Sequence, residues 1–185
     1  VALSPILSLN AKEGVVLLSD YLEVRWYAAY TCANHDVRVR DQLERRSVES
    51  FLPVYETVRR WKDRRMRLKL PLFPGYVFVH LALRDRLQVL QIPGVVRLVG
   101  FSGQPTALPD KEIEALRTGL ARDMPMEPFP FLKVGQRVRV GNGPLQGLEG
   151  MLVRKKNALR FVISLDLIMR SVSVEIGLAD LEPIR

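Results

Sequence analysis

The stretch Leu72-Phe73-Pro74-Gly75-Tyr76-Val77-Phe78-Val79 decides the fold. A Pro-Gly pair leads into an apolar run in which Tyr76, Phe78 and His80 alternate with Val77, Val79 and Leu81. Period two over such residues predicts a strand. Both faces carry large apolar groups. One is able to line a core while the other offers Tyr76 and Phe78 to something else; burial on both faces fits the periodicity equally well.

Working outward, Arg64, Arg65, Arg67 and Lys69 precede the run. Residues 38–69 hold eleven Lys/Arg against five Asp/Glu, most of the chain's net charge of +8. That concentration fits a polyanion partner better than an evenly solvated surface does. The 48% apolar fraction of the 185 residues suffices for a packed core and for one or two domains. No apolar run is long enough to cross a bilayer. The opening nine residues lack a basic flank and a clear cleavage site, so a cytoplasmic location is expected. Cys32 is the only cysteine, which excludes an intrachain disulfide and a Cys-rich zinc site.

Residues 25–31 alternate around Trp26, Ala28 and Tyr30 and predict a strand. Asn34 or Asp36 is placed to cap a helix in which Val39 and Leu43 face inward and Arg38, Gln42, Arg45 and Arg46 fall on another side. Residues 48–60 read as extended, 61–69 as a charged turn, and 70–81 as the strand of the opening stretch. Residues 84–91 suit a second helix ended by Pro93-Gly94. Residues 95–101 form another strand, and Pro109-Asp110 starts a third helix with Ile113, Leu116 and Leu120 at helical spacing. This order is the split βαβ plan, an antiparallel sheet with helices on one face. The other face must be used or hidden.

Residues 122–132 contain Pro125, Pro128 and Pro130 and read as a semi-extended linker. From 133 to 185 the chain is Val/Ile-rich with glycine turns, which implies a small β-barrel. Residues 134–140 supply one strand, Gly143-Pro144 a turn, and Gly147 and Gly150 the sharp bends of a tiny barrel. Arg154, Lys155 and Lys156 mark a basic hairpin tip. Residues 1–24 are left unassigned.

Two motifs then carry a resemblance. The Phe73-Pro74-Gly75-Tyr76-Val77 run, with Arg25-Trp26-Tyr27 before it, resembles the NGN domain of the NusG family. The run from Val134 to Gly150 resembles the KOW motif that follows it. The resemblance covers residues 25–184. It implies an α+β chain: an NGN domain at 25–121, a Pro-rich linker at 122–132 and an SH3-like KOW barrel at 133–185. Residues 43–49, 59–69 and 71–74 look most like the specialised RfaH and UpxY paralogues.

The resemblance further implies a transcription elongation or antitermination factor whose NGN domain binds the clamp helices of RNA polymerase and suppresses pausing or termination. The matching positions are Tyr30, Tyr76, Phe78 and Leu98. RfaH-like factors also read non-template DNA, which maps to Gln42, Arg45 and Arg46. Ile168 matches the KOW residue that contacts a small-subunit ribosomal protein; a termination factor is the other partner implied. No cofactor or metal, no membrane and a monomer are expected. The β-branched residues Val162, Ile163, Val172 and Val174 favour a stable barrel over a helical hairpin. That barrel is expected to hang from the linker without docking over Tyr76 and Phe78.

Two rivals stand beside this reading. A KOW-type RNA-binding or ribosome-associated protein would share the second domain only. An enzyme built on Cys32 and His35 would need a third orienting group and an oxyanion motif, and the sequence offers neither.

Overall fold

The structure is a computed structural model and describes residues 21–61, 64–129, 135–155 and 158–184. Residues 1–20 of the unassigned extension, residues 130–134 around the expected end of the linker, and Lys156 of the basic tip lie outside the described residues.

The first sheet has the order β2-β5-β1-β6, all antiparallel, from β1 (Val24–Thr31), β2 (Glu49–Phe51), β5 (Tyr76–Ala82) and β6 (Val95–Leu98). Alternation sorts its residues onto two faces. Tyr27, Ala29, Val77, Val79 and Leu81 share a buried cluster with Val39 and Leu43 of α1 (Asp36–Arg45) and Val89 of α2 (Leu87–Leu90). Trp26, Ala28 and Phe78 occupy the opposite face.

That second face is not bare. Ile113 and Leu116 of α3 (Asp110–Ala121) pack in the same cluster, as do Leu72 and Phe73 from the turn before β5. The expectation of helices on one face only is therefore corrected. The third helix crosses to the other side, where the apolar rings of Trp26 and Phe78 need cover. The Phe73 and Phe78 rings meet edge to face, centroids 5.6 Å apart.

The opening stretch folds as its residues dictate. The Tyr76 amide donates to the Phe73 carbonyl at 3.1 Å, with Gly75 at φ 86°. Proline second and glycine third in such a turn is the type II pattern, which requires positive φ at the third position.

The expected charged turn at 61–69 is instead the second half of a hairpin, β3 (Val54–Trp61) with β4 (Arg64–Pro71). The pair forms a two-stranded sheet of its own. Its root is tied in by the Leu72 amide, which donates to the Pro53 carbonyl at 2.9 Å. A small ladder, β7 (Gly100–Phe101) with β8 (Gln104–Pro105), leads toward α3.

The carboxy-terminal part is all β, as its Val/Ile content predicts. Its antiparallel sheet runs β14-β10-β11-β12-β13-β9, from β9 (Met126–Phe129), β10 (Gln136–Val140), β11 (Glu149–Lys155), β12 (Ala158–Leu165), β13 (Arg170–Val174) and β14 (Leu181–Pro183). Val138, Val140, Phe161, Ile163, Leu165, Val172 and Val174 are its buried apolar set. A Cβ on Gly150 would stand 2.5 Å from the Val162 carbonyl oxygen and 2.7 Å from the Phe161 ring, so the strand crossing there admits only glycine. Within the stretch read as linker, β9 is extended but paired, hydrogen-bonded along β13 from Met126↔Val174 to Phe129↔Ser171.

The two parts do not stand free of one another. One contiguous apolar cluster runs from Trp26, Phe78, Ile113 and Leu116 into Leu145, Phe161 and Ile163 of the β-domain. The expectation of an undocked barrel is thus corrected. The physical reason lies in the sheet face itself, whose remaining apolar surface is hidden by the β-domain.

Candidate polymerase and nucleic-acid interface

The four residues matched to the clamp-helix patch do not share one surface. Tyr30 and Tyr76 are register partners on β1 and β5, with ring centroids 5.4 Å apart. Tyr30 is 38% exposed and Tyr76 half-buried. Phe78 is fully buried and Leu98 is 7% exposed. Leu98 pairs with Ala29 and belongs to the cluster under α1 and α2, on the opposite face from the tyrosines. Both are core residues here, a correction to their expected role as surface contacts. The cause is sidedness for Leu98, and the cover given by Phe73, Phe51 and α3 for Phe78.

Two cations that the sequence did not single out complete the tyrosine row. Arg97 pairs with Tyr30 from β6 and holds its guanidinium 5.8 Å from that ring. Arg170 of the β-domain stands 5.9 Å from the Tyr76 ring. Both distances are within cation–π range. The row therefore reads arginine, tyrosine, tyrosine, arginine across three strands and into the neighbouring domain. Arg97 was legible only as the middle of a strand, and Arg170 only through the tertiary contact.

The turn beside the tyrosines is held by a residue first read as a helix cap. His35 precedes α1, and neither Asn34 nor Asp36 caps it by a side-chain bond. Asp36 instead lies buried in the first turn, where its carboxylate accepts from the Thr31 hydroxyl at 2.6 Å and from the Gly75 amide at 3.3 Å. One carboxylate thus joins the end of β1, the start of α1 and the Pro-Gly turn. A buried charge satisfied in this way fixes geometry more than it adds stability.

A second polar group sits at the far end of the same face. His80 stacks on Trp26 at 4.7 Å and contacts Glu49 at 2.7 Å, while Arg117 donates to Glu49 at 3.1 Å and lies 5.6 Å from the Trp26 ring. The hydrogen bond from His80, followed by its charge and then Arg117, holds the Glu49 carboxyl below its ordinary value.

The candidate DNA residues lie along α1. Arg45 is exposed with no ion pair among the described residues. Arg46 is exposed but donates to the Gln88 carbonyl at 2.8 Å, so part of its guanidinium is used to join α1 to α2. Gln42 is half-buried, its amide 3.4 Å from the Arg38 carbonyl. Ile168 occupies a 3-10 turn after β12, 4% exposed and within the shared apolar cluster. In this arrangement no partner reaches it.

The domain contact also carries polar groups. Lys111 donates to the Gly147 carbonyl at 3.2 Å. Burial first, and then the Asp166 carboxylate, push the Glu112 carboxyl up to about 7. The His35 ring contacts the Ala33 carbonyl at 2.9 Å, and no thiol–imidazole pair forms with Cys32. Among the described residues no group of three or more His, Cys, Asp or Glu converges to hold a metal. No helix among them is long and apolar enough to cross a membrane.

The family model for NusG, described as transcription termination factor nusG, matches residues 24–117. This chain belongs to the NusG family. The matched span begins with β1 and takes in Tyr30, Tyr76 and Arg97 of the tyrosine row, α1, the hairpin and most of α3. The chain is 26% identical over 183 residues to the transcription termination/antitermination protein NusG of Escherichia coli, covering 89% of this chain and 99% of that one. It is 29% identical over 158 residues to the NusG of Deinococcus radiodurans, covering 71% of this chain and 83% of that one. Among solved structures it is similar to one described as domain interaction in Thermotoga maritima NusG, with a TM-score of 0.56, 21% identity, and coverage of 88% of this chain and 98% of that one. That likeness confirms the NusG-like fold.

Proposed function

We propose that this chain is a transcription elongation and antitermination factor. It grips RNA polymerase with the tyrosine row and suppresses pausing or termination. The observation that carries the reading is the half-exposed Tyr30–Tyr76 pair on a NusG-family sheet, with Arg97 beside it. Aromatic and arginine anchors that leave water on binding supply most of the energy of an interface. Phe78 and Leu98 serve this surface from beneath, by fixing the strands that present it. A factor with higher affinity for the closed, elongating polymerase shifts the enzyme toward that state without chemistry of its own.

Arg45, with Arg46 and Gln42 beside it, gives the non-template strand a basic helix end to follow. The β-domain has two roles in this reading. Docked, it covers Tyr76 and hides Ile168. Released, it frees both, so that Ile168 becomes available to a small-subunit ribosomal protein or a termination factor.

The test is co-sedimentation of the full chain with RNA polymerase elongation complexes and, separately, with small ribosomal subunits. Binding to polymerase without ribosomes supports the proposal. Ribosome binding with no polymerase binding supports the rival, a KOW-type ribosome-associated protein.

A further inference from the structure

We propose that β9 is a clasp on the tether between the two domains: while it lies on β13 the domain contact opens only as a swing about residues 122–125, and full reach requires β9 to peel away. Much of the stretch read as a linker is structured. α3 ends at Ala121 and β9 begins at Met126, so four residues, 122–125, join the sheet-and-helix domain to a strand of the β-domain sheet. Fully extended they span about 13 Å, at ~3.3 Å per residue. With β9 detached, the covalent path continues to β10 at Gln136. Residues 122–135 then span up to about 46 Å.

The short joint is itself stiff. The Met124 amide donates to the Gly119 carbonyl at 3.0 Å and the Asp123 amide to the Leu120 carbonyl at 3.1 Å. Asp123 has φ 54°. Two such bonds around a left-handed residue make the Schellman motif, which closes a helix by satisfying its last carbonyls. Pro125 follows, its φ fixed by the ring. Met126 then seats on the helix the chain has just left: its methyl lies where a Cβ on Gly119 would stand. Leu145 of the β-domain approaches the same glycine. Met126 is buried in the apolar cluster that both domains share.

The hold of β9 on the β-domain is light. It is a strand of four residues, and Pro128 among them brings no amide to a ladder. Arg160 of β12 reaches past β13 to both neighbours, meeting Glu175 at 2.6 Å and Glu127 of β9 at 3.8 Å. Its Nε and Nη1 are buried without a hydrogen-bond partner, so the contact with Glu127 is a loose ion pair and not a hydrogen-bonded fork. A detached β9 leaves Arg160 paired with Glu175, and no buried charge is stranded. β13 keeps its ladder to β12 from Phe161↔Val174 to Leu165↔Arg170, so the sheet survives the loss of its edge strand.

The test uses the full chain and no polymerase, so its failure is distinct from failure of the function proposed above. Amide hydrogen exchange is read residue by residue in the wild type and in Leu145→Glu, which places a charge in the domain contact. Leu145→Glu is expected to speed exchange at Tyr76 and Leu167 and to leave the protected amides of β9 at the wild-type rate. Adding Met126→Ala and Glu127→Lys, which removes the apolar seat and sets a cation against Arg160, is expected to speed the β9 amides at least about tenfold. Spin labels at Ala121→Cys and Gln136→Cys, both exposed positions, in a chain with Cys32→Ser, read the span of the tether. Their distances are expected to spread toward the ~46 Å of the freed path only when all three substitutions are combined. Slow exchange at Val162 and Ile163 checks in each variant that the β-domain is folded. If Leu145→Glu fails that check, the comparison of β9 amides is made in the otherwise wild-type chain. Three results overturn the proposal: β9 amides that speed up together with Tyr76 in Leu145→Glu alone, β9 amides indifferent to Met126→Ala with Glu127→Lys, or label distances already fully spread in Leu145→Glu alone.

Discussion

Arg170 of the β-domain stands 5.9 Å from the centre of the Tyr76 ring, so a cation from one domain covers the aromatic that the other presents. In the function proposed above, that contact competes with the polymerase for the same tyrosine. The contact is surface-exposed, where a cation–π pair contributes about 0.5–1 kcal/mol.

Arg170→Ala should therefore open the domain contact by roughly two- to fivefold, the change that such an energy produces. Amide hydrogen exchange around Tyr76 and Leu167 is the measurement. Faster exchange at both, with unchanged exchange at Val77 and Val79 in the helix-side core, is expected. Uniform rates would show that the apolar cluster alone sets the closure.

Closure should also depend on pH. Burial, and then Asp166, raise the Glu112 carboxyl from an ordinary 4.5 to about 7. The closed form thus binds the proton more tightly than the open form does. Its contribution is fully present below about pH 4.5 and is lost as pH rises through 7. The nearby Lys111 ammonium donates to the Gly147 carbonyl across the same contact. Amide shifts of the β-domain followed from pH 5 to 8 should move toward the open form, and Glu112→Gln should flatten that change. A profile that keeps its shape in Glu112→Gln would assign the titration elsewhere.

Phe78 separates fold from contact. It is fully buried between Phe73 and Phe51. Phe78→Ala should cost about 3–5 kcal/mol in denaturant unfolding, the ordinary cost of a large core cavity. Tyr30→Ala, at a partly exposed site, should cost less than half of that. Equal losses would mean that Tyr30 is part of the core after all.

The sequence made the type II turn legible, because Pro74 and Gly75 leave the backbone few alternatives, and the β-domain, because its valines and isoleucines recur at period two. It did not disclose the side on which Phe78 and Leu98 would lie. Alternation assigns residues to two faces but does not say which face is covered when both are apolar. The hairpin was hidden for a different reason. The charges of Arg64 to Lys69 mask the alternation of Met66, Leu68 and Leu70, and solvated strands carry no apolar signature. Docking of the β-domain, and with it the roles of Arg170 and Glu112, depends on residues distant in sequence. Asp36 was visible only as a helix-start residue, because its partners Thr31 and Gly75 come together through the fold.

The proposed function rests on polymerase binding by the tyrosine row. Its most direct test is a binding titration of purified polymerase with the wild type and with the double variant Tyr30→Ala, Tyr76→Ala, with circular dichroism of both. Native dichroism with affinity weakened by at least about 2 kcal/mol, some thirtyfold, is expected, as for interface hot spots. Native dichroism with unchanged affinity would contradict it.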